Sequence, residues 1–228
     1  SKAMDNVGQA LEDQGNGNRS SPQNFYNLRA EKGPSGYDQR LNYTVSVVWD
    51  IPFGRGRRFG DGVNGLVEGV LGGWTINGIN TATSGEPLNI GWAPNATTQV
   101  SDIGADWRGA ISYRPNLSGT AILPEEQRAG TVRYLDPRAF APTTPQQPFG
   151  NLGRNSVYGP SFWQTDFSVH KNFRFTERTS LQFRSEFFNL LNKTNFRAPV
   201  VNWSAANFGL FTQTYQPRQI QFALKLLF

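Results

Sequence analysis

The chain has no cysteine and a single histidine among its 228 residues. Without a thiol there can be no disulfide framework, no thiolate metal site and no cysteine nucleophile. A lone His170 falls short of the three or four converging ligands that a metal centre needs. No nucleophile motif accompanies it, so Ser-His-Asp chemistry has no basis in the residues. Nor does any run approach the roughly 18–20 apolar residues of a membrane-spanning helix. That absence excludes helical spans alone. A barrel strand crosses with roughly 9–11 alternating residues that hydropathy averaging conceals. The mean hydropathy of −0.50 is therefore compatible with a membrane barrel. The start, Ser1-Lys2-Ala3-Met4-Asp5, has neither a basic n-region nor an apolar h-region, so no signal peptide is visible. We read the chain as the C-terminal part of something longer. The net charge is +5, but the basic residues are scattered. The one dense cluster, Arg55-Gly56-Arg57-Arg58, is too short for a nucleic-acid footprint.

Glycine (24 residues), proline (14) and aromatics (13%) are abundant, which favours many strands and long loops over long helices. The last strand sets the pattern. In residues 217–228, Ile220, Phe222, Leu224, Leu226 and Phe228 alternate with Gln219, Gln221, Ala223, Lys225 and Leu227. Side chains alternate faces with period 2, so one face is apolar and the other mostly polar. A soluble sandwich strand and a membrane-barrel strand both read this way.

Four more stretches carry the same alternation. Residues 40–53 put Leu41, Tyr43, Val45, Val47, Trp49 and Ile51 on one face, and Pro52 and Gly54 end the strand. Residues 74–89 form a weaker strand, with Trp74, Ile76, Gly78, Asn80 and Ala82 together. Residues 163–175 and 179–192 make a hairpin around Thr176-Glu177-Arg178-Thr179, with Trp163, Thr165, Phe167, Val169, Lys171, Phe173 and Phe175 on one face of its first strand. The opposite face of the hairpin carries Asp166, His170, Arg174, Arg184 and Glu186. Between strands, Leu66, Val67, Val70 and Leu71 recur at helical spacing, consistent with one short amphipathic helical turn. The glycines at 54, 56 and 60 only superficially resemble a dinucleotide loop, because the third is one position late and no strand-helix context follows.

Residues 6–39, rich in Gly, Asn, Gln and Ser, read as an exposed loop. Residues 91–160 hold eight prolines and no strong period. A connection of that length is improbable inside a compact soluble domain and ordinary among the outward loops of a large barrel. Longer loops then alternate with shorter connections. If Ser1-Lys2-Ala3 closes an outward strand, the C-terminus finishes on the short-turn, periplasmic side. The expected fold is all-β: the last five to six strands of an antiparallel up-and-down transmembrane barrel.

Several stretches resemble one family. Gly150-Asn151-Leu152-Gly153-Arg154-Asn155, Gly159-Pro160-Ser161-Phe162-Trp163 and Asp166-Phe167-Ser168 resemble the last loop-to-strand segment of TonB-dependent outer-membrane receptors, and in particular the Oar-like group with a carboxypeptidase-regulatory-like N-terminal domain. Glu186-Phe187-Phe188-Asn189-Leu190-Leu191-Asn192 is similar to that family's penultimate strand, and Pro217-Arg218-Gln219-Ile220-Gln221-Phe222 through Phe228 to its last. Upstream, Pro22-Gln23-Asn24 with Tyr26-Asn27-Leu28-Arg29-Ala30-Glu31, Ile51-Pro52-Phe53-Gly54-Arg55-Gly56-Arg57 and Gly72-Gly73-Trp74 also match. The resemblance implies a barrel of about twenty-two strands around a plug, importing a scarce ligand with energy from the inner-membrane TonB complex. This chain would supply the final part of the wall, without the plug. It further implies a bacterial outer-membrane location, contact with TonB through the missing N-terminal part, and an unnamed imported ligand. Phe222, Leu224, Leu226 and Phe228 would be the signal read by the barrel assembly machinery.

On this reading Asp166, His170, Arg174, Arg184, Glu186, Gln221 and Lys225 face the lumen. Trp49, Phe53, Trp163, Phe173 and Phe175 sit at interfacial girdle positions, where amphipathic rings meet outer-membrane lipid. Arg184 and Glu186 are close enough to pair with each other or across to Asp166 or Arg174. Glu125-Glu126 is solvated loop charge, since adjacent carboxylates lack the opposed placement hydrolysis needs. No enzyme activity, cofactor or nucleic-acid partner is expected. Two other functions fit the pattern: a structural or adhesive outer-membrane barrel without transport, and a soluble all-β carbohydrate-binding module. The last requires Phe167, Phe183 and Phe222 to be buried against a second sheet. The membrane reading predicts that the chain expressed alone aggregates without detergent. A monodisperse, detergent-free monomer in size-exclusion chromatography would overturn it.

Overall fold

The computed structural model describes residues 4–5, 22–24, 26–92, 113–144, 146–176 and 178–228. The expectations for Ser1-Lys2-Ala3, Phe25, Glu177 and residues 6–21 and 93–112 lie outside the described residues. Two compact units emerge. One comprises Asn42–Ala82, Phe162–Asn195 and Gln216–Phe228; the other comprises Ser1–Leu41, Thr83–Ser161 and Phe196–Tyr215.

The first unit is built on five long strands: β1 (Asn42–Asp50), β2 (Trp74–Thr83), β3 (Phe162–Arg174), β4 (Ser180–Phe188) and β5 (Gln219–Leu227). They lie in the order β5-β4-β3-β2-β1, so every strand neighbours its sequential partners. The fold class is the expected one, an all-β antiparallel meander, and the sheet is open with β1 and β5 at its edges. Strand β4 pairs with β5 from Ser180↔Leu227 to Phe188↔Gln219, and with β3 from Ser180↔Arg174 to Phe187↔Phe167. At the β2–β3 seam, Asn77 reaches Ser168 at 3.1 Å and Asn80 reaches Thr165 at 2.7 Å.

The strand ends have local causes. Asn189 and Asn192 take φ of 52° and 51°, the left-handed region that asparagine tolerates better than most residues. The Asn192 N–H donates to the Asn189 carbonyl at 2.8 Å, so β4 stops at Phe188 rather than running on to 192. The β3–β4 turn is closed by Phe175 N–H to the Thr179 carbonyl at 3.0 Å. Between β1 and β2 lies helix α1 (Gly65–Leu71), started by the Asn64 side chain accepting from Val67 N at 2.9 Å. That bond satisfies one of the orphan N–H groups of a first turn.

The second unit has its own core. Leu88, Ile90, Tyr134, Leu135, Phe140 and Phe208 are buried within it. Phe140 and Phe208 meet edge-to-face at 5.3 Å. Burying each such side chain contributes about 1.5–3 kcal/mol. Short pairings replace long strands: Pro87–Leu88 with Val157–Tyr158, and Asn116–Leu117 with Phe140–Ala141. The expected strand over 74–89 is thereby divided, because β2 stops at Thr83 and Pro87–Leu88 joins the other unit. Gly85 lets the two backbones meet: a Cβ there would collide with the Gly159 carbonyl. The described parts of 91–160 are thus a folded assembly of short elements rather than a bare connection.

The segment read as an exposed loop at 6–39 behaves differently in its described part. Gln23, Glu31 and Asp38 are buried. Glu31 is 1% exposed and pairs with Arg114, 3% exposed, through two hydrogen bonds of 2.7 and 2.9 Å. Arg114 also donates Nε to the Leu152 carbonyl at 2.8 Å, and its backbone N–H donates to Gln23 Oε1 at 2.8 Å. Gln23 in turn donates to the Gly150 carbonyl, and Arg154 Nε to the Glu31 carbonyl. A polar composition misleads here because the polar groups satisfy one another. Breaking a buried, bidentate pair on one side costs about 3–5 kcal/mol, whereas replacing both partners by apolar residues is often near neutral. We therefore expect Glu31→Ala to open this unit to limited proteolysis within 113–160. The double replacement Glu31→Leu/Arg114→Met should restore most of the resistance.

Candidate functional site

The registers fix which side chains share a face. Across β4 and β5, Leu181, Phe183, Ser185 and Phe187 stand opposite Leu226, Leu224, Phe222 and Ile220. On β3 the same face continues as Phe173, Lys171, Val169 and Phe167. Phe183 stacks on Phe222 at 6.2 Å, and Phe167 approaches Phe187 at 6.3 Å. The face is not covered at its edge strands: Phe222 is 67% and Leu224 69% exposed, and Val47 and Trp49 on β1 are exposed too. Among its described residues this unit holds a single sheet, whereas a soluble sandwich would require two.

The other face gathers the polar candidates. Arg184 stands opposite His170, and Glu186 opposite both Ser168 and Gln221. Arg184 bonds Glu186 at 2.5 Å along its own strand. Neither reaches Asp166, although cross-strand pairing there was one of the alternatives the spacing allowed. Asp166 instead accepts from Gln164 Nε2 at 2.7 Å and from the Asn189 backbone N–H at 2.8 Å, so it anchors the end of β4. His170 lies 3.3 Å from Ser168 Oγ and 3.5 Å from Asn77 Nδ2. Lys225 faces Gln182 across the β4–β5 seam, and Leu227 faces Ser180 on this same side. Arg174 ends β3 beside Arg55 and Arg57, lining a shallow cleft with Glu68. Among the described residues no three His, Asp or Glu side chains converge as metal ligands would. The surface offers hydrogen bonds and charge of both signs along a row.

Of the aromatic candidates, Trp49 and Phe175 are exposed, while Phe53, Trp163 and Phe173 are half-buried. Phe53 sits under Gly60, where a Cβ would come within 2.9 Å of its ring. The ammonium of Lys193 lies 4.8 Å from the Trp163 ring centroid. Sequence reasoning did not foresee what Lys171 does. It sits among apolar neighbours, yet its Nζ donates to the Gly72 carbonyl and lies 5.3 and 5.1 Å from the Trp74 and Phe173 rings. Lys171 is buried, and that carbonyl and the two ring faces are what its charge meets in place of water. The Asn80–Thr165 bond serves the same end for two polar residues on that face. Only the register reveals that they are partners.

The loop unit carries one further polar cluster. The Tyr158 hydroxyl donates to Asp38 Oδ2 at 3.1 Å and accepts from Arg40 at 2.7 Å. Burial, followed by the bond to Asp38, raises its pKa above the usual phenol value, and Arg40 opposes that shift. Burial alone lowers that of Arg154.

These contacts rank two substitutions. Glu186→Ala removes a partly exposed pair, worth about 0–1 kcal/mol. Asp166→Ala strips the acceptor from a buried turn amide, which costs about 1–3 kcal/mol. Urea unfolding of the detergent-solubilised barrel, followed by tryptophan fluorescence, should place Asp166→Ala clearly below Glu186→Ala.

Comparison with known proteins agrees with this geometry. The family model for the outer membrane beta barrel domain matches residues 1–221. No curated protein and no solved structure matches the chain. A meander with one bare apolar face and one polar face is what a barrel wall must be, and the match covers almost the whole sequence. The chain belongs to the outer membrane β-barrel domain family, and the protein it forms resides in the bacterial outer membrane.

Proposed function

We propose that this chain forms wall and outer loops of a TonB-dependent transporter of the Oar-like group, one that imports a scarce ligand. The observation that carries this reading is the buried Glu31–Arg114 knot. It joins the two loop stretches whose sequences resemble that family, Tyr26–Glu31 and Gly150–Asn155. Arg154 bonds the Glu31 carbonyl at 3.2 Å, and Asn155, at φ 53°, donates to the Pro34 carbonyl at 2.8 Å. The resembling motifs are thus the joints of one folded loop assembly. A barrel that only filled space in the membrane would have no need to order its loops around a buried ion pair. A receptor must hold its capturing surface in shape.

On this proposal the face of Asp166, His170, Arg174, Arg184, Glu186, Gln221 and Lys225 lines the lumen, and the face of Phe222, Leu224 and Leu226 meets lipid. On the same reading the connections 51–73 and 175–179 fall on the periplasmic side. The longer connections fall outside the cell. The wall performs no covalent chemistry. It contributes a polar conduit and a loop surface, while energy and gating come from TonB acting through the rest of the protein.

The test uses the complete protein in its own cells. Growth on a panel of scarce nutrients supplied at limiting concentration should drop when its gene is deleted. It should drop equally when the TonB complex is removed. Glu31→Ala should reproduce the loss while heat-modifiable mobility on gels still reports an inserted barrel. Growth unaffected by both deletions, together with lost surface attachment, would place the protein among structural or adhesive barrels.

A further inference from the structure

Helix α1 is built the wrong way round for water. At about 100° per residue, Gly65, Glu68 and Gly69 share one side, and Leu66, Val67, Val70 and Leu71 share the other. In a water-exposed helix the apolar side packs inward. Here the side that bonds to the chain is carried by Glu68, and its flanking Gly65 and Gly69 line an open cleft with Arg55, Thr75 and Arg174, where a Cβ on either glycine would meet nothing within 4 Å. Glu68 faces the same way, accepting from Arg55 N at 2.8 Å. Most of the apolar side looks out: Leu66 is 85%, Val70 65% and Leu71 47% exposed, with Val67 half-buried.

Two side chains of the sheet's apolar face hold the helix. The Trp74 indole donates to the Val70 carbonyl at 2.8 Å. Lys171 on the apolar face bonds the carbonyl of Gly72, the residue that caps the helix. The helix is therefore tied, through Trp74 and Lys171, to the end of the surface that the barrel turns outward. The charge of the connection fits as well. Arg55, Arg57 and Arg58 are exposed, whereas its acids are engaged by backbone amides, Asp61 by Gly56 at 2.7 Å and Glu68 by Arg55. Apolar residues on one side and arginines beside them are the pattern of a segment seated at a headgroup boundary.

We infer that the β1–β2 connection is a membrane anchor: α1 inserts Leu66 and Val70 among the acyl chains of the leaflet at the short-turn end of the barrel, with the neighbouring arginines at the phosphates. The anchor rests on the apolar sheet face meeting lipid and is independent of transport. It also explains why a connection of this length is a helix rather than a bare turn. A short turn would leave Trp74 and Lys171 at the boundary with nothing to hold them.

The chain has no cysteine of its own, so each substitution places one label in it once any cysteine elsewhere in the full-length protein is replaced by serine. Leu66→Cys and Val70→Cys are made in the full-length protein, with Gly62→Cys as the aqueous reference and Phe222→Cys reporting the sheet face. No atom lies within 4 Å of a Cβ at Gly62, so a label is accommodated there. Each variant, checked for heat-modifiable mobility, carries an environment-sensitive fluorophore and is reconstituted in phosphatidylcholine–phosphatidylglycerol vesicles with brominated acyl chains. Labels at positions 66 and 70 should lose fluorescence to the brominated lipid, since an interfacial helix buries its apolar face at the acyl boundary, and resist aqueous iodide, while position 62 does the reverse. If position 222 is quenched by lipid but 66 and 70 follow 62, the helix lies in water and the anchor is wrong. Protection of 66 and 70 from both quenchers means that protein covers them and also overturns it. If position 222 fails to respond to lipid, the facing of the sheet is wrong and the anchor falls with it.

Discussion

Hydrocarbon offers no hydrogen bonds, and this constraint organises the molecule. Within a bilayer every backbone N–H and C=O must find its partner on a neighbouring strand. Register is then not negotiable, because a slip of one residue would turn a whole strand's side chains to the opposite face. The nine paired positions from Ser180↔Leu227 to Phe188↔Gln219 hold Phe222 and Leu224 on the same side as Phe183 and Phe187. The same register settles Leu227, whose apolar side chain falls on the polar side opposite Ser180. The exceptions on the apolar face obey the same rule. Asn80 and Thr165 satisfy each other, and Lys171 delivers its charge to the Gly72 carbonyl.

The loop unit is held by a different balance. A hydrophobic cluster around Leu135 and Phe208 does the ordinary work of a core. Beside it, Glu31 and Arg114 bury a full ion pair; the Leu152 carbonyl accepts from Arg114 Nε, while Gln23 and Arg154 satisfy the Arg114 backbone N–H and the Glu31 backbone carbonyl. Such a pair adds little net stability over an apolar replacement. What it adds is specificity: one arrangement of three distant segments satisfies all the charges, and misjoined loops would leave a charge stranded. Positions that look idiosyncratic in the sequence become intelligible here. Gly150 admits no Cβ because the Arg114 carbonyl lies against it, and Asn155 occupies a left-handed backbone that few other residues accept.

The period of two in residues 42–50, 162–174 and 219–227 determined the strands, their two faces and the all-β class. It did so because alternation is a local property that each strand carries by itself. Pro52 and the hairpin residues near Thr176 likewise announced where strands stop. The family resemblance of Tyr26–Glu31 and Gly150–Asn155 was legible as pattern, though not as a physical reason. Only the tertiary structure decided the rest. The pairing of Glu31 with Arg114 spans 83 residues, and no periodicity encodes a contact between irregular segments. The division of 74–89 and the diversion of Asp166 from arginine to the turn amide of Asn189 depend on neighbours distant in sequence. So does the outward turn of Leu66 and Val70. Their helical spacing was readable, but which side of a short helix meets the protein is set by what it packs on.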